Sequence, residues 1–332
     1  MPGSPTSNLR LVDALEALVL VDNVSDTLST VAPGVSNESA ALRKAGMQQL
    51  SGEAICCAHH GLSLVLTVRM QGVARSMMFD AGPEAYAVTR NGGRLGVPFR
   101  DIEAVALSHG HWDHGGGLVE AVRLVFAVNG GRRVPVHVNE GMFVTRASTL
   151  PQGGYLPHKD VPKSPELTAT GADVVSSPEA RLLDDDLFYL SGEIPRVSAY
   201  EKGFPGHMKR AADGHGWEPD PLLTDERYLA VNVKGKGIVV FSMCSHAGVV
   251  NVLTDARATF GDIPLHAVMG GFHLSGPTVE AIIPQTIGAL MSFGLARIIP
   301  AHCTGWRAFS ALTRVCDESV LMPSAVGRKF LF

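Results

Sequence analysis

The chain of 332 residues contains no apolar run of the roughly 18 residues that a membrane-crossing helix requires. Its longest, Leu15–Val21, is interrupted by Glu16 and stopped by Asp22. Cysteine is scarce: Cys56, Cys57, Cys244, Cys303 and Cys316 are odd in number and irregular in spacing. That argues against a disulfide framework and for a reducing, cytoplasmic setting. Neither sign of charge dominates, with 28 Lys+Arg against 32 Asp+Glu and a net charge of −4. Without a basic excess, a long nucleic acid is a poor partner. The first eight residues lack a basic stretch ahead of an apolar one, so no secretory signal is expected. What the chain does have is 45% hydrophobic and 18% charged residues, the balance of a folded globular protein. It also has 36 glycines, 20 prolines and thirteen histidines. The first two numbers predict many turns, and the third asks for a chemical reason.

The hydrophobic period switches repeatedly along the sequence. Residues 1–13 read as a flexible tail and 14–332 as one domain. Buried strands are predicted over Leu15–Asn23, Ile102–Leu107, Val134–Val138, Leu265–Met269 and Arg297–Pro300. Hairpins are predicted where Leu62–Met70 meets Arg75–Phe79 across Gln71-Gly72, and where Tyr228–Val233 meets Gly237–Phe241. Helices are expected around Ala40–Ala45, from Gly117 to about Val128, and with Val249, Leu253, Ala256 and Phe260 on one face. Ser275 and Pro277 predict a further helix start, stopped by Gly294. Residues 147–166 and 200–225, rich in Pro, Gly and charge, read as long functional loops. Several predicted strands end in chemistry: Phe79-Asp80, Ser108-His109, Met243-Cys244, Phe272-His273 and Ala301-His302. Strand ends of this kind converge on one pocket.

The densest segment is Ser108-His109-Gly110-His111-Trp112-Asp113-His114, followed by three glycines. Two histidines two apart in an extended segment face the same side. Asp113 and His114 then enter a turn, where glycines let the backbone pass close to whatever those side chains hold. Imidazoles with one carboxylate suit zinc best, and iron or manganese less well.

The His-x-His-x-Asp-His pattern after a buried strand resembles the signature of the metallo-β-lactamase superfamily. Asp80 in Phe79-Asp80-Ala81-Gly82, Cys244–Gly248 and His302–Gly305 are similar to its other motifs, in the same order. His60–Ser63, Gly192–Arg196 and Gly270–Leu274 further resemble a subfamily labelled dihydropterin–ribofuranosyl-aminobenzene-phosphate synthase. The resemblance implies an α/β fold, an αββα sandwich of two mixed β-sheets flanked by helices. It implies two divalent metal ions, one held by His109, His111 and His246 and the other by Asp113, His114 and His302. Cys244 stands where many relatives carry a bridging Asp and is a further ligand candidate. Asp80 would orient a ligand imidazole.

The activity implied is hydrolysis of a small ester, lactone, thioester or phosphoester by hydroxide generated on the metals. Asp113 would also orient the nucleophile, and His273 would contact substrate or pass a proton. A pterin-pathway transferase or synthase, or a phosphodiesterase, is the alternative on the same fold. Arg196, Lys202, Lys209 and Arg210 are candidates to meet an anionic group. His60 remains open between a motif role and none. His59, His137, His158, His207, His215 and His266 read as surface or ordinary core residues. A small-molecule substrate, no membrane and no nucleic acid follow as the expected partners, with a homo-oligomer left open.

Overall fold

The computed structural model describes residues 8–332. Residues 1–7 of the expected tail lie outside the described residues. The rest of that segment is not loose, because Leu11–Val12 pairs in parallel with Asn232–Val233.

Two mixed sheets face each other. The first has eight strands in the spatial order Ala172–Ser176, Val134–Val138, Ile102–Ala106, Val73–Phe79, Ser63–Met70, Ala14–Val21, Lys329–Leu331, Val35–Ser36. The second runs Arg181–Leu183, Phe188–Leu190, Leu229–Val233, Gly237–Ser242, Leu265–Gly271, Arg297–Ala301, with Leu11–Val12 beside Leu229–Val233.

The strands read as continuous apolar runs because both faces are buried. In Ser63–Met70, Leu64, Leu66 and Val68 enter the core between the sheets, whereas Val65 faces the helices. In Gly237–Ser242, Val239 and Phe241 point inward, and Ile238 and Val240 outward. Side chains alternate with the period of two that a strand imposes. Glu38–Lys44, Ala85–Leu95, Leu118–Val128 and Ser164–Ala169 cover the outer face of the first sheet. Val249–Phe260, Ile283–Ser292 and Trp306–Leu312 cover the second. The result is the αββα sandwich, and no helix among the described residues is long and apolar enough to cross a membrane.

Two expectations are corrected here. The segments 147–166 and 200–225 are not simply loops. Arg146–Thr149, Tyr155–Pro157, His207–Arg210 and Trp217–Pro219 form a third, four-stranded antiparallel sheet. Its strands are three or four residues long and partly exposed, too short to show an alternating pattern. Surface stacking supports them instead, with the Arg210 guanidinium 3.9 Å from the centre of the Trp217 ring. Ser275 does not cap a helix; the chain turns at Gly276 into the short Pro277–Glu280 helix before Ile283–Ser292 begins.

Candidate metal centre

Five strand ends deliver the chemical residues to one region. Val73–Phe79 ends on Asp80, Ile102–Ala106 leads into the His109–His114 segment, and Gly237–Ser242 into Cys244 and His246. Leu265–Gly271 leads to His273, and Arg297–Ala301 to His302. Asp80, Ser245, His273 and His302 all take positive φ, at 60, 57, 44 and 45°. Non-glycine residues rarely do so, and strain of this kind persists where surrounding structure enforces it. The glycines after His114 serve close packing: a Cβ on Gly116 would collide with the Pro83 carbonyl.

Three nitrogens of the expected first metal position converge. His109 Nε2 lies 3.1 Å from His111 Nδ1 and 3.2 Å from His246 Nε2. Asp113 Oδ2 and His302 Nε2 approach to 3.2 Å, and His114 Nε2 lies 4.0 Å from the same oxygen. Cys244 Sγ is 3.3 Å from His114 Nε2. It falls within one donor group with His109 and His246 and within another with His114 and His302. Cys244 therefore sits between the two sets rather than beside them.

The hydrogen bonds behind these rings decide where their protons are. The Asp80 carboxylate accepts from the Ser108 N–H (2.6 Å), the Ser108 hydroxyl (2.7 Å) and His114 Nδ1–H (2.6 Å). Because the Ser108 hydroxyl proton goes to Asp80, the hydroxyl must accept from His109 Nδ1–H at 2.8 Å. Asn23 Oδ1 accepts from the Gly61 N–H while Asn23 Nδ2 donates to the His302 carbonyl. That fixes the amide orientation, so His302 Nδ1–H donates to Asn23 Oδ1 at 2.9 Å. A neutral imidazole carries one N–H. His109, His114 and His302 thus each turn an Nε2 lone pair inward.

Electrostatics agree with this donor set. Burial, and then the neighbouring imidazoles, push His109, His111 and His246 well below the ordinary histidine pKa, so all three are neutral. Burial raises the Asp113 carboxyl, but His114 and His302 outweigh it and hold the group ionised. Burial lowers His302, but Cys303 and Asp113 raise it to about 9. Cys303 and Asp113 thus favour positive charge at this ring, as a divalent cation would supply. Neutral imidazoles, a carboxylate and a thiol with inward lone pairs fit a divalent cation.

A pair of adjacent carboxylates that carry no motif signal in the sequence holds the loops of His109–His111 and His246. Asp225 accepts from the Gly110 N–H at 2.8 Å and from Arg146 Nη2 at 2.6 Å. Glu226 accepts from the His246 N–H at 2.8 Å and the Ala247 N–H at 2.7 Å. No spacing rule marks these residues, because each reaches its partner through the fold.

The site opens into a cavity of about 760 Å³ whose lining includes Trp112, Trp306 and Phe309. His60 reaches it too, with Nε2 3.5 Å from Asp113 Oδ2 and its ring stacked on Trp112. His158 and His207 are not ordinary surface residues. Both line the cavity, carried there by the third sheet, and their rings lie 5.6 and 5.1 Å from His111. His273 packs 4.2 Å from the His246 ring. None of the expected cationic side chains lines it. Arg196 bonds the Ile194 and Leu222 carbonyls, Lys209 pairs with Glu218 at 3.4 Å, and Arg210 stacks on Trp217.

Asp80→Ala is expected to weaken metal binding about 10–100-fold, because His114 loses its orienting acceptor and Ser108 the partner that aligns His109. Titration of the metal-free variant with zinc against a chelating indicator measures it; wild-type affinity would refute the role.

Comparison with known proteins fits this geometry. Residues 61–192 match the metallo-beta-lactamase superfamily model. A Methanocaldococcus jannaschii protein named 7,8-dihydropterin-6-methyl-4-(beta-D-ribofuranosyl)-aminobenzene-5'-phosphate synthase is 29% identical over 252 residues, covering 75% of this chain and 82% of that one. An uncharacterized protein of the same organism is 24% identical, over 78% of this chain and 89% of its own length. Among solved structures, Tm1679, described as a metal-dependent hydrolase of the beta-lactamase superfamily, superposes with a TM-score of 0.68 at 22% identity, covering 95% of this chain and 98% of that one. The Bacillus subtilis metallo-beta-lactamase fold protein YhfI gives a TM-score of 0.50 at 10% identity, covering 96% and 99%. Residues 61–192 thus match the metallo-β-lactamase superfamily, and the chain as a whole shares the fold of Tm1679.

Proposed function

We propose that this protein is a dinuclear metal-dependent hydrolase acting on a small ester, lactone, thioester or phosphoester. The observation that carries the reading is the set of inward lone pairs on His109, His114 and His302, enforced by Asp80, Ser108 and Asn23. His109, His111 and His246 would hold one cation, and Asp113, His114 and His302 the other, with Cys244 between them. Zinc suits these donors best.

When bound, such cations make a water acidic near neutral pH and polarise a carbonyl or phosphoryl oxygen. The chain's own part is to position. Asp113, ionised and facing His302, orients the attacking water through its free lone pairs. His273, at the cavity wall, is placed to hold a proton for the leaving group. The aromatic lining excludes bulk water and so strengthens each polar contact inside.

A second reading has specific support. The named M. jannaschii synthase is similar over most of both chains, which favours a synthase of pterin-type metabolism on the same metal centre.

Elemental mass spectrometry of the purified protein, followed by a panel of lactones, thioesters, phosphomonoesters and phosphodiesters, tests the proposal. Two equivalents of metal and turnover of one class support it. Two equivalents with no turnover, but coupling of a 6-methyl-dihydropterin that carries a leaving group on its methyl carbon to a ribofuranosyl-aminobenzene phosphate, with release of that group, would select the synthase. In the cobalt-substituted protein, Cys244→Ser is expected to abolish a sulfur-to-metal charge-transfer band. No such band in the wild type would remove Cys244 from the ligands.

A further inference from the structure

We infer that His207 and His273, beside His246, form a subsite for an oxyanion group of the substrate, a phosphate or a carboxylate. The inference rests on the metal reading above for its position in the reaction, but its main observation is separate. His207, His246 and His273 each place a ring nitrogen within 4.8 Å of the other two. They reach this point from three elements: the third sheet, the loop after Gly237–Ser242, and the end of Leu265–Gly271.

Most of their ring nitrogens have no hydrogen-bond partner in the protein. His207 Nδ1 and both ring nitrogens of His273 are buried without a hydrogen bond. His273 must carry a proton on one of them, and within the protein only the Cys244 and Cys303 sulfurs, weak acceptors, lie close to that ring. His246 directs Nε2 to the first metal position, which puts its proton on Nδ1, and that atom is buried and unpartnered as well. The same reasoning leaves His111 Nε2–H unpartnered. A buried donor left unmade costs about 1–3 kcal/mol, and native proteins rarely leave several together.

The neighbouring carboxylates are turned to other donors. Glu226 holds His246 N–H and Ala247 N–H, Asp225 holds Gly110 and Arg146, and Glu201 holds the Val250 and Asn251 N–H groups. The three rings line the cavity, so a substrate oxyanion entering there is placed to accept from them. A third cation is the poorer occupant, because it needs lone pairs from three rings and the first metal position already uses that of His246. Phe204 packs on both flanking rings, 4.8 Å from His207 and 5.5 Å from His273. Its apolar body keeps the wall dry and makes each N–H contact stronger.

Calorimetric titration of the metal-loaded full chain with inorganic phosphate and, separately, acetate tests the subsite. His207→Ala and His273→Ala are each expected to weaken the preferred anion about tenfold, with metal content unchanged. His273→Gln, which keeps an N–H donor, should recover part of the loss. The tighter of the two probes assigns a phosphoryl or a carboxylate group. Unchanged affinity in both alanine variants, with metal retained, would place the anion on the metals alone and overturn the inference. So would a third metal equivalent that both variants lose. Titration of the metal-free protein separates the two readings. Anion binding there that still falls in His273→Ala keeps the subsite even if no metal is ever held.

Discussion

His109→Ala is expected to cost the protein at least one equivalent of bound metal and to lower kcat/KM by about three orders of magnitude or more, because a water outside the coordination sphere returns to a pKa of about 15.7. The expectation rests on the central place of His109. Its Nε2 is the atom that both His111 Nδ1 and His246 Nε2 approach, at 3.1 and 3.2 Å. Removing it leaves two imidazoles, fewer than the three protein ligands of a typical catalytic zinc. Metal content is the decisive measurement, since activity alone would also fall in a misfolded variant. A variant that keeps both its metal and its turnover would sink the whole ligand assignment. His302→Ala should behave similarly at the second position, where His114 and Asp113 would remain.

Much of this was legible in the sequence, and the reasons are physical. The strands Ser63–Met70 and Val73–Phe79 pair across the expected Gln71-Gly72 turn, because turn chemistry and apolar runs are local signals. The residues of the His109–His114 segment lie within a single stretch of chain, so their proximity follows from spacing. The helix Ala85–Leu95 was not legible. It contains Asn91, Gly92 and Gly93, which disfavour a helix locally. Tertiary contacts override them: buried Asn91 donates to the carbonyls of Leu20 and Cys57, and Gly92 admits the ring of Phe99. His158 and His207 were illegible for a different reason. Each is a lone histidine in a polar segment, and only pairing within the third sheet brings it to the cavity. Asp225 and Glu226 act across twenty or more, and in one case more than a hundred, residues. No pattern in one sequence encodes such a reach.

Those carboxylates lead to the second large effect. Asp225→Ala is expected to destabilise the fold by about 3–5 kcal/mol, the cost of leaving a buried charge without its partner. That is a large part of a typical net stability of about 5–15 kcal/mol. Arg146 is 4% exposed, and its guanidinium meets Asp225 Oδ1 at 2.6 Å, with Asp220 at 3.4 Å as a weaker second contact. The same two side chains clamp the peptide unit at Gly110: Asp225 accepts its N–H and Arg146 donates to its carbonyl at 3.1 Å. Because Gly110 stands between His109 and His111, the pair sets the distance between the two proposed ligands as well as joining the third sheet to the core. Stability and metal affinity should therefore separate in a double variant. Arg146→Met with Asp225→Leu removes both charges and is expected to recover much of the stability, since an apolar replacement of a buried pair is often neutral or better. It cannot restore the hydrogen bonds to Gly110, so metal binding should stay weak. Chemical denaturation and metal titration of the single and double variants give the two readouts. Wild-type stability in Asp225→Ala, or wild-type metal affinity in the double variant, would show that the histidine loop holds its shape without the clamp.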